Sequence, residues 1–175
     1  MPTPLPAPER DPAYRMVAAA LFAAIAIVLA ALGFEHIGGY RPCPLCLQQR
    51  YAYYVGIPLL FGALVLVSAE QRRLAAIVLG LVATGFLANA GLAVYHSGVE
   101  WKLWAGPETC QFALEPLGRG PGGLLKQLET VRVIRCDEAP WRFLGLSFAG
   151  WNAVLSLLLA LGAFTAARLS WRRDA

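Results

Sequence analysis

Residues 16–34 read Met-Val-Ala-Ala-Ala-Leu-Phe-Ala-Ala-Ile-Ala-Ile-Val-Leu-Ala-Ala-Leu-Gly-Phe, without a single charged side chain. A hydrocarbon core about 30 Å thick is crossed by about 20 helical residues rising 1.5 Å each. Residues 16–34 therefore predict one membrane span. Three more runs of similar length and character follow, at about 51–69, 74–95 and 146–167. The second contains Pro58, a kink that neighbouring helices tolerate in a membrane, and Asn89 is the most polar member of the third. The expected fold is an all-α membrane protein, a four-transmembrane-helix bundle forming one domain over residues 1–175. Composition agrees: 58% of the chain is hydrophobic and 15% charged, against about 25% charged in a soluble domain.

The connections are unequal. Glu70-Gln71-Arg72-Arg73 makes a tight turn between the second and third runs. A short loop, about 35–50, joins the first two, and a long loop, about 96–145, joins the last two. An even number of spans puts both termini and the tight turn on one side. Arg10, Arg15, Arg72, Arg73, Arg168, Arg172 and Arg173 hug the helix ends on that side. Lys and Arg in the long loop are balanced by acids instead. Short basic flanks set orientation, so the termini are expected in the cytoplasm and both loops in the periplasm. The N-terminus opens with prolines and has no convincing cleavage site, so the first run is expected to be retained rather than removed as a signal peptide. The formal charge of +4 does not point to nucleic acid, because the basic residues sit at span ends and form no stripe.

All four cysteines lie outside the apolar runs, on the expected periplasmic side, where disulfides persist. Cys43 and Cys46 form a C-x-x-C unit in Arg41-Pro42-Cys43-Pro44-Leu45-Cys46-Leu47-Gln48-Gln49-Arg50. That spacing permits a reversible disulfide, and the start of the second helix would favour a Cys46 thiolate. A structural bond or half of a metal site is the plain alternative. Cys110 and Cys136 lie far apart in a loop rich in Gly and Pro. Closing it would contribute roughly 3–4 kcal/mol through loop entropy, so a simple staple is possible, but mobility also suits exchange with a partner. Arg50, one turn after Cys46, can stabilise a thiolate or a quinone oxygen, or simply snorkel to the interface. His36 and His96 sit at span boundaries and could move protons, although boundary histidines are commonly interfacial. Trp101 and Trp104 fit an aromatic belt. Leu124, Leu125, Leu128 and Val131 have helical spacing and predict a short helix, lying in the interface or packed against the protein.

The span order, the block Pro42 to Arg50, the wide Cys110/Cys136 pair and the stretch Cys136-Asp137-Glu138 with Trp141 to Leu146 together resemble the DsbB family of membrane disulfide oxidoreductases. The likeness covers nearly the whole chain. It implies a quinone-dependent oxidoreductase of a bacterial inner membrane that reoxidises a DsbA-like thioredoxin-fold periplasmic protein. That implication comes from the family, since the DsbA–DsbB–quinone system is itself the standing account of an oxidising periplasm. It further implies that Cys110 forms the mixed disulfide with the partner and Cys136 completes that pair. Cys43 and Cys46 would reoxidise it, with Cys46 nearest the ring of ubiquinone or menaquinone. Arg50 and His96 would bind the quinone, and no metal is expected.

DsbA is a strong oxidant near −120 mV, whereas ordinary structural disulfides lie near −300 mV. At about 1.4 kcal/mol per 30 mV, an ordinary bond would face an uphill step of about 8 kcal/mol. Such a relay needs easily reduced disulfides and a terminal acceptor. Three rivals remain in view: a quinone-linked enzyme resembling the vitamin K epoxide reductase family, a zinc protein using all four thiolates, and a scaffold with inert disulfides. The first usually carries its C-x-x-C late in the bundle, and structural zinc sites favour two closely spaced pairs.

Overall fold

The computed structural model describes residues 11–107, 110 and 136–173. Its helices are α1 (Pro12–His36), α2 (Pro44–Ser68), α3 (Arg72–Glu100) and α4 (Phe148–Arg172). All four are long and apolar enough to cross a membrane. Each packs on its sequence neighbours, and α1 closes the ring against α4. The result is an up-and-down bundle. The most extensive packing joins α3 to α4. Both helices bury alanines, among them Ala75, Ala90 and Ala93 on α3 and Ala160, Ala163 and Ala166 on α4. Small side chains let helix backbones approach closely where lipid offers no hydrophobic drive. Phe22, Leu29, Phe61, Val65, Leu81, Leu87 and Leu158 point outward, a surface suited to lipid rather than water.

Local chemistry fixes where the helices begin. Asp11 caps α1 by accepting the Ala13 N–H at 2.9 Å, with Pro12 at the first helical position. Ser147 caps α4 by accepting the Gly150 N–H at 3.2 Å. Cys43 caps α2, again followed by proline. The second helix therefore starts seven residues before the predicted Tyr51, and the predicted 35–50 loop contracts to residues 37–43. The third helix runs past the predicted Tyr95 and takes in His96 and Glu100.

The predicted start of the fourth span, Leu146 and Ser147, is instead strand β2 (Leu146–Ser147), paired antiparallel with β1 (Arg142–Phe143). Leu144 and Gly145 connect them with φ of 52° and 83°, the two positive values a type I′ turn requires. The predicted short helix at Leu124–Val131 lies outside the described residues.

At the terminal end, Asp11 pairs with Arg72 and, at 3.0 Å, with Arg173, while Arg72 reaches Glu70 at 2.7 Å. This cluster ties the start of α1, the α2–α3 turn and the end of α4 together. The four cysteines all lie at the opposite end.

Candidate functional site

The first turn of α2 presents the C-x-x-C pair. As the cap, Cys43 accepts the Cys46 N–H on its sulfur at 3.3 Å, and the two Sγ atoms are 2.8 Å apart. The sequence reading gave the helix start's benefit to Cys46; the structure gives it to Cys43. A capping side chain accepts backbone N–H groups, whereas one three residues into the helix cannot. The Nε2 atom of His96 stands 3.6 Å from Cys43 Sγ. The hydrogen bond with Cys46 pulls the Cys43 thiol down, burial opposes, and the hydrogen bond with His96 lowers it further, to about 5.

Cys110 and Cys136 are joined in a disulfide, while Cys43 and Cys46 are free thiols. Cys43, Leu45, Val99, Cys110 and Cys136 form one buried apolar cluster, with Cys46 and Leu92 against its edge. The loop pair thus folds onto the C-x-x-C pair.

A cavity of about 1570 Å³ opens beside the thiols. Cys43, Cys46, Gln49, Arg50, His96 and Glu100 supply its polar lining. Phe34, Tyr40, Trp141 and Phe148 supply an aromatic wall, with Trp141 and Phe148 stacked at 4.8 Å and Phe34 and Phe148 edge-on at 5.0 Å. Arg50 lies in this lining and is ion-paired with Glu35 from the last turn of α1. His36 does not join the site; its Nδ1 lies 3.1 Å from the Leu32 carbonyl of its own helix. Trp104 does not join it either. It stacks on Tyr95 and donates its indole N–H to the Tyr95 carbonyl at 2.8 Å.

A chain of buried and half-buried polar groups runs inward from His96. The Gln49 Nε2 donates to His96 Nδ1 at 2.9 Å, and Gln49 Oε1 accepts from Asn152 at 2.6 Å. Asn152 in turn accepts from the Tyr53 hydroxyl at 2.6 Å, and Asn89 donates to Ser156 at 2.9 Å beside it. On the other side of His96, Glu100 Oε1 lies 4.0 Å from Nε2 and Ser147 donates to the same carboxyl. Sequence reasoning missed Glu35, Gln49, Tyr53, Glu100 and Asn152. The available signal was spacing: Gln49 is three residues after Cys46, Tyr53 four after Gln49 and Glu100 four after His96, each one helical turn.

A family model described as "Disulfide bond formation protein DsbB" matches residues 13–166. The chain is 34% identical over 165 residues to the "Disulfide bond formation protein B" of Acidovorax sp. (strain JS42), covering 86% of each. It is 35% identical over 152 residues to the protein of that name from Methylococcus capsulatus (strain ATCC 33009 / NCIMB 11132 / Bath), covering 80% of this chain and 84% of the relative. The one from Marinobacter nauticus (strain ATCC 700491 / DSM 11845 / VT8) is 33% identical over 152 residues, covering 85% and 88%. No solved structure matches significantly.

Proposed function

The chain belongs to the DsbB family of disulfide bond formation proteins, and on that premise we propose that it is a quinone-dependent protein disulfide oxidoreductase. It draws electrons from a DsbA-like periplasmic thiol oxidase and passes them to ubiquinone or menaquinone in a bacterial inner membrane. Its termini lie in the cytoplasm and its cysteines face the periplasm. The observation that carries this reading is one buried cluster holding a disulfide and a dithiol at the mouth of an aromatic-walled cavity.

The partner's thiolate attacks Cys110, and Cys136 leaves as a thiolate. The partner's second thiol then breaks the mixed disulfide, so the partner leaves oxidised and Cys110 and Cys136 remain reduced. They next reduce a Cys43–Cys46 bond by the same exchange and regain their own. A bond in the outer pair with thiols in the inner pair corresponds to the stage at which electrons have moved inward.

The cavity fits a quinone: its aromatic wall suits a flat ring, Arg50 can donate to a ring oxygen, and His96 lines the same space. When bound, the quinone supplies a two-electron, two-proton acceptor. Cys46, more exposed than Cys43 and lining the cavity, faces that space. The Cys43 thiolate, held by His96 and the Cys46 N–H, is the good leaving group that exchange between the pairs requires.

The test is purified protein with reduced partner and quinone, following quinone absorbance while mapping disulfides. Cys46→Ser should abolish quinone reduction. Cys110→Ser should block exchange with the partner while the inner pair still meets quinone. Full turnover by either variant would overturn the assignment.

A further inference from the structure

His96 offers one nitrogen to two acids. Its Nε2 lies 3.6 Å from Cys43 Sγ and 4.0 Å from Glu100 Oε1. All three groups are buried, at 5%, 2% and 7% exposure for Cys43, His96 and Glu100. The other ring nitrogen is taken. Gln49 presents its N–H to Nδ1, because its carbonyl already accepts from Asn152 and the Asn152 carbonyl from Tyr53. Nδ1 is then an acceptor, and the ring's single proton sits on Nε2. One N–H cannot satisfy a thiolate and a carboxylate together. Two anions sharing one buried donor oppose each other strongly in a low dielectric.

We propose that Glu100 carries one of the two protons of the Cys43–Cys46 redox couple, protonated when the pair is reduced and ionised when it is a disulfide. In the reduced state Cys43 is a thiolate bonded to the His96 N–H, Cys46 is a thiol, and Glu100 is a neutral acid. Oxidation forms the S–S bond and removes two electrons. The two protons come from the Cys46 S–H and the Glu100 O–H, and the site keeps one negative charge, which moves from sulfur to carboxylate. The His96 N–H then serves Glu100. The electron acceptor is the membrane quinone of the proposed function, and the inference rests on that reading only in taking Cys43–Cys46 to be a redox couple. Glu100 faces His96 on its own helix, Cys43 and Cys46 at the start of α2, Ser147 on β2 and Arg142 on β1. Ser147 holds the carboxyl in place, and the cavity it lines gives the proton an exit.

The test needs neither partner nor quinone. The full-length protein in detergent is equilibrated with dithiothreitol redox buffers from about pH 5, where Cys43 ionises, to neutrality. The reduced fraction of the Cys43–Cys46 peptide is read by alkylation and mass spectrometry. Dithiothreitol is itself a two-proton couple, so its own pH dependence is subtracted. The half-reaction constant of a two-proton protein pair then changes a hundredfold per pH unit, and the raw exchange constant is independent of pH. Glu100→Gln leaves only the Cys46 proton, so the change falls to tenfold, a slope lower by 29.6 mV per unit. Glu100→Asp keeps a carboxyl and should keep the hundredfold slope. Redox-difference infrared spectroscopy should show a protonated carboxyl in the reduced protein that is lost on oxidation and missing from Glu100→Gln. A tenfold slope in the unmodified protein, or equal slopes in it and Glu100→Gln, overturns the proposal. A normal slope without any quinone reduction would instead overturn the proposed function, leaving Glu100's role standing.

Discussion

Cys43 combines two positions that are usually separate, a helix cap and a redox sulfur. The Cys46 N–H and the His96 ring converge on it, so its charge is stabilised by groups already fixed by the helix and by α3. The thiol, lowered to about 5, is therefore ionised throughout the neutral range, unlike an ordinary thiol near about 8.5. Ultraviolet thiolate absorbance of the reduced protein should rise near that low value. His96→Ala removes that hydrogen bond and should move the rise toward ordinary thiol behaviour, with a loss of thiolate at neutral pH. An unchanged titration would show that the histidine does not act on the sulfur. At this scale the cysteines stood out in the sequence because the C-x-x-C spacing is chemically specific, and Arg50 stood out among the many boundary arginines only by lying one turn after Cys46. Gln49 and Glu100 did not, since a polar residue just outside an apolar run reads as solvated. Only the earlier start of α2 and the later end of α3 turn these two inward.

Among the helices, contact depends on small residues at a few crossings. A Cβ on Gly56 would lie 2.9 Å from the ring of Phe86, which itself packs edge-on against Tyr53 at 5.2 Å. Gly62, one and a half turns on, has nothing within 4 Å. Gly56→Ala should thus destabilise the bundle by about 1–3 kcal/mol, the usual cost of overpacking. Gly62→Ala should be neutral or slightly stabilising, through better helix propensity. Thermal unfolding in detergent separates the two, and equal behaviour would mean that α2 and α3 do not meet at Phe86. Existence and number of the helices were legible, because apolar length alone specifies a span. Their ends were not. A membrane helix is apolar all round, so periodicity gives no warning where it stops. The caps that decide, Cys43 and Ser147, are residues whose side chains the sequence suggested for other work or for none.

The two ends of the bundle are built differently. The cysteine end holds a cavity and a hydrogen-bonded polar network, whereas the terminal end is an ionic clamp. There Asp11 caps α1, accepts from buried Arg72 and pairs with Arg173. Burial opposes its ionisation, but the Arg72 hydrogen bond, the Ala13 N–H and the charges of Arg72 and Arg173 outweigh it, and its carboxyl is held below the ordinary value of 3.8. A depressed acid contributes stability that is complete above its unfolded value and disappears as pH falls through its folded value. Bundle stability should therefore be flat near neutrality and drop at strongly acidic pH. Asp11→Asn retains a capping oxygen but no charge, so it should lose much of that acid dependence. Asp11→Ala also loses the cap, worth about 1 kcal/mol, and leaves Arg72 with Glu70 alone, so it should be the weaker of the two at every pH. Unfolding temperatures of the three proteins from neutral to acidic pH test this. If Asp11→Asn retained the full acid transition, the carboxylate that governs it would lie elsewhere, and the clamp would be holding the termini through geometry rather than charge.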